Sequence, residues 1–344
     1  MRHRIFLSAL ACVALWIGSA RAQSPFYQDK TITIVVGFIP GDVYDLFARL
    51  IAQYIPRYIP GSPNAIVQNV PGAGSLVAAN HLYTVAKPDG LTLGAISPAL
   101  YFDQLIGRKE VRFDWAKFVW LGTPTLTNRL LYMRSDAPYR SIHDVLKSKE
   151  PPKCGATGTG TSEYYVPRLL EESLGAKFNM VTGYPGGGDV DLAVERGEIE
   201  CRAFSIQAYF AREPFHTWRK TGFVRVLVQT GLRRDPRLPD VPTIYELMDQ
   251  YQTPEASRRL AKVVMASDSF GRPIVAGPGL PPERAKILRE AFGKTVKDPD
   301  FLAEAKKKKL EADPATGEEL EALAKEVIVQ PPEVIERMRK LLGK

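Results

Sequence analysis

Cysteine and histidine are scarce in this chain of 344 residues, which holds three of the first and four of the second. The histidines His3, His81, His143 and His216 stand far apart, with no second ligand at metal-binding spacing, so no zinc or other metal site is expected. Nucleophile motifs are missing too. There is no Gly-x-Ser-x-Gly elbow, and Gly158-Thr159-Gly160-Thr161 lacks the Lys-Ser/Thr ending of a phosphate loop. Gly72-Ala73-Gly74 follows a short strand pattern without continuing into a dinucleotide fingerprint. No cofactor is expected, and catalysis has no visible agent.

Long apolar runs are missing beyond the first residues. Arg2-His3-Arg4 precedes an apolar stretch over 5–17, too short for the ~20 residues of a spanning helix, and Ala20-Arg21-Ala22 follows. A secretory signal peptide over 1–22 is therefore expected, with a soluble, periplasmic product. Charge of one sign is not in great excess either. Of 46 basic residues, Arg2, Arg4 and Arg21 fall in the leader, so 43 face 38 acidic ones. That bias excludes a strong nucleic-acid surface but helps draw in anions. The lysine cluster at 306–309 continues a helical pattern and reads as a solvated helix face. Behind the leader only Cys154 and Cys201 remain; in an oxidising compartment they either pair or stay buried as thiols, and the sequence leaves both open.

What the chain has in abundance is a βα rhythm. Apolar, β-rich runs at 31–38, 65–69, 92–96, 130–134, 153–157, 179–183, 200–205, 224–229 and 274–277 read as strands. Amphipathic stretches at 45–59, 76–85, 162–174, 189–196, 244–251, 255–265 and 282–295 read as helices, and 299–342 is mostly helical. The alternation predicts an α/β fold of mostly parallel sheets flanked by helices. About 320 residues exceed one core, so two lobes are expected: 23–125 plus 231–344 form a discontinuous lobe 1, and 126–230 form lobe 2.

Three strand-to-helix junctions carry glycines and small polar residues suited to an anion, because free backbone N–H groups and the positive end of a helix dipole meet there. The first contains Phe38, Pro40, Gly41, Asp42 and Tyr44, with Asp42 and Asp45 spaced like a capping box. The second contains Thr157, Gly158, Thr159, Gly160, Thr161 and Ser162, whose hydroxyls offer more donors than a turn requires. The third contains Tyr184, Gly186 and Gly187. Ser97 and Ser205 end further strands and complete the candidate ligand site. Tyr44, Tyr101, Tyr164, Tyr165 and Tyr184 lie near these loops, either as a wall for an aromatic acid or as packing.

The order and spacing of several motifs resemble the extracytoplasmic receptors of tripartite tricarboxylate transporters, the Bug family. The resemblance rests on Ile32 to Phe38, Asp45-Leu46-Phe47-Ala48-Arg49, Asn69-Val70-Pro71-Gly72-Ala73-Gly74 and Lys87-Pro88-Asp89-Gly90-Leu91-Thr92-Leu93. It continues in the glycine–threonine loop at 158–161, Tyr184 with Gly186-Gly187, Gly197-Glu198-Ile199-Glu200 and Leu238-Pro239-Asp240-Val241-Pro242-Thr243. It implies a Venus-flytrap periplasmic binding protein, expected as a monomer, that holds a small organic carboxylate between its lobes. A small and a large membrane subunit are its implied partners. Departures fall in the loops that set specificity: Ile39-Pro40-Gly41-Asp42-Val43-Tyr44 replaces an alanine–glycine run, Pro185 a lysine, and Ser205 an aspartate. The ligand is thus left open between aliphatic di- or tricarboxylates and an aromatic acid. A receptor serving a membrane signalling partner, or an enzyme on the same sheets, are the competing readings; fold alone does not choose among them.

Overall fold

A computed structural model describes residues 24–158 and 161–342. The expected leader over 1–22, and Thr159 and Gly160 of the second junction, lie outside the described residues. Eleven strands are described: β1 Thr31–Val36, β2 Asn64–Asn69, β3 Thr92–Ala95, β4 Val119–Thr123, β5 Arg129–Arg134, β6 Lys153–Ala156, β7 Asn179–Thr182, β8 Cys201–Ser205, β9 Val224–Gln229, β10 Ile274–Ala276 and β11 Ala315–Thr316. They form two sheets, ordered β11-β4-β10-β3-β1-β2 and β7-β6-β8-β5-β9.

β-Branched residues dominate β1, which sits between β2 and β3 with Ile34 opposite Val67 on one side and Leu93 on the other. In the first sheet β1 to β4 share one direction, while β10, inserted between β3 and β4, and β11 run against them. In the second, β6 to β9 share a direction and β5 is reversed. The reversal has a topological cause. β5 is the first strand after the chain leaves the first sheet and β10 the first after it returns, so neither is reached by a βα crossover within its own sheet. β4 and β11 have no counterpart among the expected strands: β4 carries Trp120 and Gly122 within five residues, and β11 is two residues long.

Helix Val43–Tyr54 starts at Asp42 and buries Phe47, Ala48, Leu50, Ile51 and Tyr54, the spacing of one helix face. Helix Ser162–Leu174 ends at Gly175, whose φ of 77° suits glycine. Helix Glu255–Phe270 packs against Ser162–Leu174 beside the second sheet and against Gly317–Ile328 and Pro332–Leu341 beside the first. An apolar cluster therefore runs without interruption from Trp120 and Phe270 to Leu131 and Cys201. Cys154 and Cys201 stand opposite each other on β6 and β8, fully buried, and form a disulfide. Among the described residues, no helix is long and apolar enough to cross a membrane, and no group of His, Cys, Asp and Glu could hold a metal.

Candidate ligand-binding cleft

The loops that follow β1 and β3 meet those that follow β6, β7 and β8 around a cavity of about 750 Å³. Ligand sites of α/β sheets gather at these carboxyl ends of strands. Of the residues expected at the site, Phe38, Gly41, Asp42, Tyr44, Ser97, Thr157, Thr161, Ser162, Gly187 and Ser205 line this cavity. Pro40, Gly158, Tyr184 and Gly186 do not, although each neighbours a residue that does or lies in the same loop.

At the first junction Asp42 caps helix Val43–Tyr54, its carboxylate accepting from the Tyr44 N–H at 2.9 Å. The reciprocal bond differs from the expected box. Asp45 accepts from the Gly41 N–H rather than that of Asp42, and also from Arg49 and Asn69. Burial would raise the Asp45 pKa, but the bonds from Arg49, Gly41 and Asn69 outweigh it and hold the carboxyl below its usual range. Burial raises the Asp42 pKa against the opposing effects of the Tyr44 N–H and Arg272. The rings of Phe38 and Tyr44 stack, centroids 4.1 Å apart and planes within 20°.

At the second junction Thr157 and Thr161 are already engaged within the protein. Thr157 donates both its N–H and its hydroxyl to Glu163 Oε2, at 2.7 and 2.6 Å. The Thr161 hydroxyl donates to the Gly158 carbonyl at 2.8 Å. Behind the loop, Arg202 donates through Nε and Nη2 to Glu163 Oε1 and through Nη1 to Asp191, which also faces Arg212 and accepts from Tyr132. Helix Gly187–Glu195 begins where Gly187 presses on this cluster: a Cβ there would stand 2.4 Å from Arg202 Nη2. Ser205 likewise serves the protein, capping Ile206–Ala211 and donating to Gln207. The Ser97 N–H donates to Ser75.

Sequence reading missed the cations. Arg129, Arg202, Arg212, Arg272, Lys308 and Lys309 line the cavity, so two lysines of the cluster read as a solvated face reach it. Of the five tyrosines singled out, Tyr44 and Tyr165 line the cavity; Tyr101 is buried in the core with its hydroxyl bonded to the Val263 carbonyl, and Tyr164 and Tyr184 lie off the lining.

Arg129 and Arg272 belong to the strands' crossing region. The Arg129 N–H donates to the Thr230 hydroxyl, which donates to Asp268, and the Thr127 N–H donates to the Asp268 carbonyl. Arg272 follows Gly271, whose φ is 61° and whose Cβ, if present, would stand 1.9 Å from the Thr125 carbonyl. Its own N–H donates to the Thr123 hydroxyl at 2.9 Å. Burial works against the charge on Arg129, but Tyr165, Asp268 and Tyr44 outweigh it and raise its pKa. For Arg272 burial prevails, with Arg129 adding to it, and the pKa is lowered.

Comparison with known proteins agrees with this fold. A Polaromonas TctC solute-binding protein superposes with a TM-score of 0.68 at 20% identity, covering 91% of this chain and 99% of that one. The periplasmic binding protein BugD gives 0.65 at 20% identity, covering 92% and 99%. MatC from Rhodopseudomonas palustris, solved with bound malate, gives 0.62 at 21% identity, covering 91% and 99%. In sequence, a UPF0065 protein encoded in the gbd 5′ region of Cupriavidus necator is 24% identical over 346 residues, covering 98% of this chain and 97% of its own. The family model of the tripartite tricarboxylate transporter family receptor matches residues 48–339, and the chain belongs to that family of periplasmic solute-binding proteins.

Proposed function

We propose that this chain is a periplasmic receptor that captures a small organic carboxylate between lobe 1, 23–125 plus 231–344, and lobe 2, 126–230, and delivers it to the small and large membrane subunits of a tripartite tricarboxylate-type transporter. The observation that carries the reading is the cavity at the converging strand ends of two sheets, lined by six basic side chains against Asp42, Glu163 and Glu311. A basic, concave site between two bodies attracts an anion and favours closure once the anion supplies the missing charge. That related folds hold malate or adipate supports the ligand class. The receptor turns nothing over: it binds, closes and releases.

A thermal-shift screen across mono-, di- and tricarboxylates and aromatic acids tests this. A binding acid at 100 times its Kd stabilises the protein by about 2.7 kcal/mol. Solution scattering should then show a smaller radius of gyration, and mass spectrometry should recover the acid intact after hours. A chemically altered acid, or no response to any acid, would refute the proposal.

A further inference from the structure

The basic residues of the cavity are not equivalent. Arg202 is held by Glu163 and Asp191, Arg212 faces Asp191, Arg129 faces Asp268, and Lys308 reaches Glu304. Lys309 is exposed to solvent. Arg272 stands apart: among the described residues its guanidinium makes no hydrogen bond and no ion pair, and its Nε is shut off from solvent without an acceptor. Its neighbours are the rings of Tyr44 and Phe47, 5.6 and 5.8 Å from the guanidinium carbon to the centroids, and the Asp42 carboxylate lies within electrostatic reach without an ion-pair contact. Those rings orient a planar cation without neutralising it.

An arginine whose Nε is shut off from solvent without an acceptor lowers stability unless something compensates. Its backbone is nonetheless fixed tightly, by the Thr123 hydroxyl and by a glycine turn that admits no side chain against the Thr125 carbonyl. A charge that is positioned but unpaired, on the wall of a cavity, is prepared for a partner from outside. A guanidinium presents two parallel N–H donors, which match the two oxygens of a carboxylate.

We propose that Arg272 is the specificity-determining residue of the cleft and pairs directly, in a two-pronged contact, with a carboxylate of the ligand. The inference rests on the carboxylate-receptor reading and adds to it the atom group that recognises the anion. Three consequences separate it from a structural role. Removing the charge weakens the ligand. Lysine, a point charge without the fork, does not restore it. The ligand-free protein is no less stable without the arginine, because a guanidinium with no hydrogen bond or ion pair has left.

The test is calorimetric titration of the wild type, R272M and R272K with benzoate, L-malate, adipate and citrate, each up to 10 mM, alongside melting of the ligand-free proteins. The expected result is that the acid bound best by the wild type loses at least ~30-fold in affinity in R272M and at least ~10-fold in R272K, while ligand-free R272M melts at or above the wild-type temperature. Affinity within about threefold in R272M would overturn the role of Arg272 and leave the receptor reading standing. A lower ligand-free melting temperature accompanying the lost affinity would make Arg272 a structural residue and overturn the inference as well. Binding of none of the four acids by the wild type would overturn the carboxylate reading and this inference with it.

Discussion

Arg129 and Asp268 face each other at 3.5 Å where the chain passes between its two sheets, both nearly buried, yet Arg129 Nε and Asp268 Oδ1 are each without a hydrogen bond. A buried pair in such geometry recovers only part of what desolvation costs. Around it, Thr230 donates to the other Asp268 oxygen, and the Tyr165 hydroxyl shares a hydrogen bond with neighbouring Ser267. The pair is thus a polar knot at the crossing, beside the cavity wall that carries Arg272.

Asp268 gives this knot a pH dependence. Burial pushes its pKa up to about 6, with Arg129 and the Thr230 hydroxyl opposing. In the unfolded chain an aspartate titrates near ~3.9. Between those values the native state keeps a proton that the unfolded state has released, so the contribution of Asp268 is present in full at low pH and is lost as the pH rises through about 6. The wild type should be more stable at pH 5 than at pH 7.5 by calorimetry, and D268N should flatten that difference. An equally steep dependence in D268N would rule Asp268 out as its source.

The second-junction loop should depend on Glu163 more than on its own hydroxyls. Glu163 binds Thr157 twice and Arg202 twice while 5% exposed. E163Q leaves part of the Arg202 charge uncompensated, and urea unfolding should register a loss of about 3–5 kcal/mol, the usual cost of breaking a buried ion pair. T157V should lose only about 1–2 kcal/mol. Equal losses in the two variants would show that the ion pair contributes nothing beyond one hydrogen bond.

Reduction tests the disulfide. The bond between Cys154 and Cys201 closes a loop of 47 residues, which by chain entropy stabilises the fold by at most ~4 kcal/mol. Reduced protein should unfold at lower urea concentration, with a loss of roughly 2–4 kcal/mol. Coincident curves with and without reductant, once thiol titration shows complete reduction, would contradict this.

The fold was legible where local and tertiary preferences agree. β1 is a β-branched run that any pairing would extend, and Asp42 before an amphipathic stretch marks a helix start wherever the helix packs. β11 was not legible, because two residues following a proline become a strand only through β4, itself far off in sequence. In the cleft, the glycine–threonine loop was found but its protein partner was not: nothing in the threonines themselves shows that Glu163 folds back to accept from Thr157. Arg272 was invisible for a related reason. Phe270-Gly271-Arg272-Pro273 reads as an ordinary linker, and its place in the cavity arises from the contact of Gly271 with Thr125 across the crossing. Tyr101, left open between cleft wall and packing, packs, since it follows a cleft loop but sits on the inward face of helix Leu100–Leu105.

The two adjacent glycines of the third junction should respond to alanine in opposite directions. At Gly187 a Cβ would stand 2.4 Å from Arg202 Nη2. A long side chain could ordinarily give way, but this guanidinium is held by Glu163 and Asp191, so displacing it strains three hydrogen bonds. At Gly188, inside helix Gly187–Glu195, a Cβ would meet nothing within 4 Å. There alanine removes glycine's entropic cost in a helix, and G188A should gain roughly 0.5 kcal/mol. G187A should lose about 1–3 kcal/mol, the range for overpacking. Because Arg202 also anchors Glu163 beneath the second junction, G187A should weaken carboxylate binding, whereas G188A should bind as the wild type does. Urea unfolding and calorimetric titration of both variants measure the two effects, and a G187A variant as stable as G188A would show that the arginine cluster yields freely and does not fix the cleft.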